Sequence, residues 1–250
     1  MSRSRVVAVD LPWSAAHPDR TAVAVLGPSG AVSVSSADAG RALPSVIADL
    51  AQPDAHILLD IPIGGCSGSG AFRPVDRRLA GAGIPLLPWT QAADRGVRLA
   101  REIRVRLPQA TVDEVYPYAV FRVLWALHRT QSLGLLRPGR IEGRLERGWS
   151  RWPPRYKRAR TRGERLAALS KVRRILTGAE LALSFDPPLP RPAAGSRSRL
   201  TDCYDAALAI IPGVLGLGHP AVYREGDEEG GAVILLADSW LRGRLCNDRP

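Results

Sequence analysis

Val6-Val7-Ala8-Val9-Asp10 is an apolar run closed by a carboxylate, and His56-Ile57-Leu58-Leu59-Asp60-Ile61-Pro62 repeats the design later in the chain. Continuous apolar runs of this length are the pattern of strands buried on both faces, as at the centre of a parallel or mixed sheet. Each run delivers its acid at the strand's carboxyl end, where open α/β sheets place their chemistry. Between them, residues 21–26 and 31–35 are β-rich and flank Gly27-Pro28-Ser29-Gly30, which predicts a hairpin with a four-residue turn. Residues 38–50 then read as a helix, with Asp38 as its cap and Leu43, Val46, Ile47 and Leu50 on one face. If the two apolar runs are parallel neighbours, a right-handed crossover brings Asp10 and Asp60 to the same edge.

Further along, residues 63–70 form a Gly-rich loop that lacks the Gly-Lys-Ser/Thr ending of a phosphate-cradling loop. Short helices are expected over residues 73–78 and 91–107. Residues 110–116 read as a strand that carries Glu114 near its end, and Pro117 sits at the first position of a helix reaching His128. Residues 137–165 change character: they are Arg-dense, interleaved with Trp149, Trp152 and Tyr156, and broken by Pro153-Pro154. Basic residues alternating with aromatics suit phosphate contact plus base stacking, with Arg155, Lys157 and Arg158 as the candidate nucleic-acid contacts. The plainer reading is a solvated insertion whose tryptophans pack on the core.

A helix is expected over residues 164–176, then a proline-rich connection over 185–198. Thr201-Asp202-Cys203-Tyr204-Asp205-Ala206-Ala207-Leu208-Ala209 starts the last long helix, bent at Pro212. Taken alone, Asp202 and Asp205 are an N-cap and a first-turn acid favoured by the helix dipole. Residues 221–223 and 232–236 form a terminal hairpin with an acidic tip. No internal repeat or linker divides the chain, which reads as one α/β domain over residues 1–250 with a basic insertion at about 137–165.

The formal net charge is +11, carried almost wholly by arginine, since Lys157 and Lys171 are the only lysines. An excess of that size favours a polyanionic partner, DNA or RNA, through phosphate neutralisation and counterion release. No apolar run approaches the roughly 20 residues that span a bilayer, and the N-terminus lacks a signal-like apolar region, so a cytoplasmic protein with no membrane partner is expected. Cys66, Cys203 and Cys246 show no paired spacing, which argues against a disulfide framework or a zinc knuckle.

Cleaving a phosphodiester calls for neutralised charge, an activated water and a stabilised leaving oxygen. Two divalent ions about 3.5–4 Å apart supply these in many nucleases. Mg²⁺ or Mn²⁺ held by a few carboxylates on rigid elements suffices. Asp10, Asp60, Asp202 and Asp205 meet that specification, and Glu114 could complete it. The arrangement resembles the ribonuclease H-like fold, in which acids on the first strand, the fourth strand and a late helix hold the metals. More closely, the chain resembles the domain of unknown function 429 family, a predicted nuclease group with that fold. The resemblance rests on Val9-Asp10, Leu59-Asp60-Ile61-Pro62-Ile63-Gly64, Arg73 with Asp76-Arg77, Glu114-Val115-Tyr116-Pro117 with Phe121, Lys157-Arg158, and Tyr204-Asp205-Ala206. It implies a mixed sheet with flanking helices and a divalent-metal-dependent nuclease, with Asp10, Asp60 and Asp205 as metal ligands and Asp202 or Glu114 completing the set. Leu11-Pro12-Trp13-Ser14 departs from the glycines that often follow the first acid.

Two other readings use the same residues. A nucleic-acid-binding protein without catalysis needs only the basic surface. A phosphotransferase of the actin-like kinase kind also opens on a strand ending in Asp, but it needs Gly-rich phosphate-binding turns that Leu11-Pro12-Trp13-Ser14 does not supply.

Overall fold

In the computed structural model, which describes residues 5–12, 20–37, 40–64, 72–84, 93–157, 159–193, 199–227 and 231–247, eight strands form one mixed sheet. They are β1 (Val6–Asp10), β2 (Ala22–Leu26), β3 (Ala31–Ser36), β4 (His56–Asp60), β5 (Thr111–Val115), β6 (Ser184–Phe185), β7 (Val222–Asp227) and β8 (Gly231–Leu236). Across the sheet the order is β6-β3-β2-β1-β4-β5-β8-β7. β1 pairs antiparallel with β2 and parallel with β4, and β5 continues the parallel set between β4 and β8. The two apolar runs are parallel neighbours, with Asp10 and Asp60 as register partners.

Side-chain alternation along the central strands feeds two cores. Val6 and Ala8 of β1 and Leu58 of β4 join the larger one. That core also takes in α2 (Pro74–Gly81), α4 (Pro117–Arg129), α5 (Arg144–Trp149), α6 (Arg162–Leu176), α7 (Arg199–Ala209), α8 (Ile211–Leu215) and α9 (Ser239–Asn247). Val7, Val9, Ile57 and Leu59 join the smaller core, under α1 (Leu43–Leu50) and α3 (Ala93–Arg106). Apolar residues at every position are therefore what a strand needs when it is covered on both faces. Among the described residues no helix is long and apolar enough to cross a membrane.

Helix α1 begins at Leu43, later than expected, with Pro44 in its first turn, where a missing N–H does no harm. The expected cap Asp38 lies outside the described residues. The break between α7 and α8 falls just before Pro212, as that proline predicts. Helix α9 is absent from the sequence expectation; it is short, and Leu241 and Leu245, one turn apart, hold it in the larger core.

The Arg-rich stretch exposes most of its described arginines, and Trp149 packs on the core as the plainer reading expects, while Trp152 is 57% exposed. Ile141, Leu145, Trp149 and Tyr156 are all buried in the larger core. Arg122 of α4 is 1% exposed and lies between Trp149 and Trp152, its guanidinium carbon 4.4 and 4.5 Å from the two ring centres. Its terminal nitrogens donate to the Trp149 carbonyl and, at 2.6 Å, to that of Arg151. Burial pushes the Arg122 pKa down to about 10, which leaves it charged at neutral pH. Cation–π contact on both faces and two charge-assisted hydrogen bonds thus clamp the stretch onto α4.

The closeness of that clamp makes a test. A Cβ built on Gly148 would stand 2.2 Å from the Ala126 carbonyl oxygen, a backbone atom that cannot swing away. Gly148→Ala is expected to destabilise the protein by about 1–3 kcal/mol, read as a lower urea midpoint. Gly163→Ala, which meets nothing nearer than 4.0 Å, should leave the midpoint within about 0.5 kcal/mol of the parent.

Candidate functional site

Asp10 and Asp60 close neighbouring parallel strands, and both share the parity of residues that face the larger core. Helix α7 packs on that face against β1 and β2, and its small residues Ala206, Ala207 and Ala209 let it approach closely. The approach brings Asp205, 1% exposed, to the same carboxyl end. Asp10, Asp60 and Asp205 interact electrostatically with one another, and Asp10 and Asp60 share a hydrogen bond. The three acids picked as metal ligands therefore do converge.

A cation and a hydroxyl meet them. The Lys157 ammonium lies 2.9 Å from Asp205 Oδ2, and the Tyr156 hydroxyl donates to Asp205 Oδ1 at 2.6 Å. The Lys157 side chain is 38% exposed, so its stem reaches solvent while its head turns inward. Burial works against the ammonium's charge, but Asp205, Asp60 and Asp10 outweigh it and hold the group protonated. Lys157 was expected to grip a phosphate from the surface; the buried negative charge claims it instead. Arg155 stays exposed beside Tyr118, and Arg158 lies outside the described residues.

Burial raises the pKa of every acid in the cluster. Asp10 rises well above its ordinary value through burial and then through Asp205. Asp60 is pushed up to about 6 by burial, against the pull of Lys157 and of the hydrogen bond from Asp10. Asp205 is raised by burial and held back by Lys157 and Tyr156. Asp10 and Asp60 share a hydrogen bond, which a carboxyl pair can form only when one of the two is protonated, so the pair holds a proton between them. Asp60 Oδ2 is buried with no hydrogen-bond partner among the described residues.

Asp202 sits in the first turn of α7, one turn before Asp205. It binds Arg20, whose Nη2 lies 3.3 Å from its Oδ1, and it feels the charges of Asp205 and Lys157 as a neighbour of the cluster.

Glu114 is not brought in. Its register partner is Leu59, one residue out of phase with Asp60, so it has the parity of the opposite face. There its carboxylate accepts from Arg73 at 2.5 and 2.7 Å and from the Ile63 backbone N–H at 3.2 Å. Arg73 also binds Asp76 and the Gly64 carbonyl. Burial pushes the Glu114 pKa up to about 7, with Arg73 pulling the other way. This closed network ties β5 to the start of α2 and offers no open ligand.

Sequence reasoning missed Tyr156, Arg20 and the part played by Arg73. Tyr156 had been read with its neighbours as a base-stacking residue. Its place directly before a lysine in a proline-broken stretch was the only signal that it turns inward.

Among the described residues no three His, Cys, Asp or Glu side chains stand in a metal-holding arrangement. The donor chemistry nonetheless fits a hard divalent cation: all carboxylate oxygens, one of them orphaned, with more negative than positive charge. Comparison with protein-family profiles, with curated proteins and with solved structures finds no match in any of the three.

An acid whose folded pKa lies above its unfolded value holds its proton more tightly when folded. The folded state is thus favoured below the unfolded pKa and loses that advantage as pH rises through the folded one. For Asp60 the window runs from 3.8 to about 6. Asp60→Asn is expected to raise stability at pH 8 by up to about 3 kcal/mol, with the gain vanishing toward pH 4. Urea unfolding of both proteins across that range checks it, and a less stable variant at pH 8 contradicts it.

Proposed function

We propose that this protein is a divalent-metal-dependent nuclease with a ribonuclease H-like core, related to the domain of unknown function 429 family. The observation that carries the reading is the orphaned oxygen of Asp60, in a cluster whose three carboxylates face one ammonium. The acids lie where the resemblance implies: at the ends of the first and fourth strands and on a late helix. In this reading Asp10, Asp60 and Asp205 hold Mg²⁺ or Mn²⁺, which would neutralise phosphate charge and acidify a water for attack. Tyr156 fixes one Asp205 oxygen and leaves the other to Lys157. Lys157, once released from Asp205, has the reach and the charge to meet a substrate phosphate. Asp202 is a positioning residue through Arg20, and Glu114 is structural.

A second reading, nucleic-acid binding without catalysis, draws on one observation of its own: Lys157 already gives Asp205 a full countercharge. The two readings part on metal. For the nuclease, Mg²⁺ or Mn²⁺ supports cleavage of a single-stranded, duplex, hybrid or branched substrate, and Asp10→Asn and Asp205→Asn each abolish it. Lys157→Met lowers Tm in EDTA by stranding buried acids, and Mn²⁺ restores more of that loss than it adds to the parent. Salt-sensitive binding with no cleavage of any of these substrates, and no Mn²⁺ effect on either Tm, decides for the binding protein.

A further inference from the structure

Beside the acidic cluster, a cavity of about 430 Å³ opens between the first turns of α6 and α7. Its volume is within the range of small-ligand sites. Leu166 and Leu169 of α6 and Leu200 of α7 supply apolar lining, and Arg160, Arg162 and Arg165 supply the charge. All three arginines are exposed, and none of their guanidinium groups has an ion-pair or hydrogen-bond partner among the described residues. The end of α6 is not what would draw an anion here. The Glu164 carboxylate already accepts from the backbone N–H groups of Arg160 and Thr161, at 2.9 and 3.2 Å. The attraction comes from the arginines, whose planar forks match phosphate oxygens two at a time.

An apolar surface beside three unpaired guanidinium groups suits a ligand with one flat, weakly polar part and one anionic part. Lys157 lines the same cavity while its ammonium binds Asp205, so this space and the acidic cluster share a wall. We infer that the cavity between α6 and α7 is a nucleotide subsite, with the base or sugar against Leu166, Leu169 and Leu200 and the phosphate on Arg160, Arg162 and Arg165. The inference extends the nuclease reading by giving a nucleic-acid strand a specific seat next to the acids, but binding at this seat needs neither metal nor cleavage. A free mononucleotide and a nucleotide within a strand offer the same chemistry to it.

The test uses the full chain in EDTA, so that no cleavage occurs. Binding of adenosine 5′-monophosphate and of inorganic phosphate is measured by calorimetry, and that of a fluorescein-labelled single-stranded DNA octamer by anisotropy. The nucleotide is expected to bind more tightly than inorganic phosphate. The Arg160→Ala, Arg165→Ala double variant is expected to weaken nucleotide binding by about tenfold or more. Leu166→Asn should weaken the nucleotide and leave inorganic phosphate unchanged. These side chains are half-exposed or exposed with no partners to lose, so an unaltered urea midpoint is expected of each variant. If the octamer weakens along with the nucleotide, the seat serves a strand; if only the nucleotide weakens, it serves a free nucleotide. Equal binding of nucleotide and inorganic phosphate, or nucleotide binding indifferent to the arginine changes, overturns the inference. Either result leaves metal-dependent cleavage to be judged separately by Asp10→Asn, and nucleotide binding in a protein that cleaves nothing sustains the subsite while removing the nuclease.

Discussion

A buried carboxylate has to find a positive charge, a hydrogen-bond donor or a proton, and at the carboxyl end of β1 and β4 three of them have to do so together. Asp205 takes the ammonium of Lys157 and the hydroxyl of Tyr156, Asp10 and Asp60 share a hydrogen bond, and the second Asp60 oxygen has no partner among the described residues. Much of the surrounding architecture follows from that division. Tyr156 turns inward from a stretch that is otherwise mostly exposed, and contacts of Arg122 with Trp149 and Trp152 clamp that stretch to α4. Tyr156 meets Phe121 edge-on, with ring centres 5.5 Å apart, which fixes the hydroxyl's direction.

The two faces of the sheet handle charge differently. On the face of the larger core, acids outnumber cations and one oxygen is left over. At Glu114, Arg73 meets the carboxylate with two parallel bonds and shares its remaining donors with Asp76 and Gly64, so that both Glu114 oxygens are hydrogen-bonded. A network whose polar atoms are all satisfied holds elements in place, whereas one with an oxygen to spare keeps affinity for something further. That contrast is what separates Glu114 from Asp60, although both are buried acids near the ends of adjacent strands.

The sheet's centre was legible because burial on both faces leaves an unmistakable apolar run, and because two such runs ended in the same residue type. The meeting of Asp10, Asp60 and Asp205 followed from strand-end placement and from a helix that starts acidic and turns small. Glu114 was misjudged for a geometric reason: nearness to a strand's end says nothing of which face a side chain takes, and that depends on register with the neighbouring strand. Lys157 and Tyr156 were read as surface because their neighbours are arginines, and composition cannot show which two residues in a basic stretch fold under. Helix α9 escaped because one short turn-spaced pair, Leu241 and Leu245, is too little periodicity to mark a helix, and its place is set by the core it covers.

Register also constrains how this site can change over time. β1, β4 and β5 run side by side, and within β4 the acid lies one residue beyond Leu59, the partner of Glu114. Adding or removing a single residue inside β4 would turn Asp60 to the side of Glu114 and α3 and present an aliphatic residue to Asp10 and Lys157. Changes of two residues would restore the face. The strand therefore behaves like a reading frame with a period of two, and lineages that keep the cluster should show length variation in the loops around β4 and none within it.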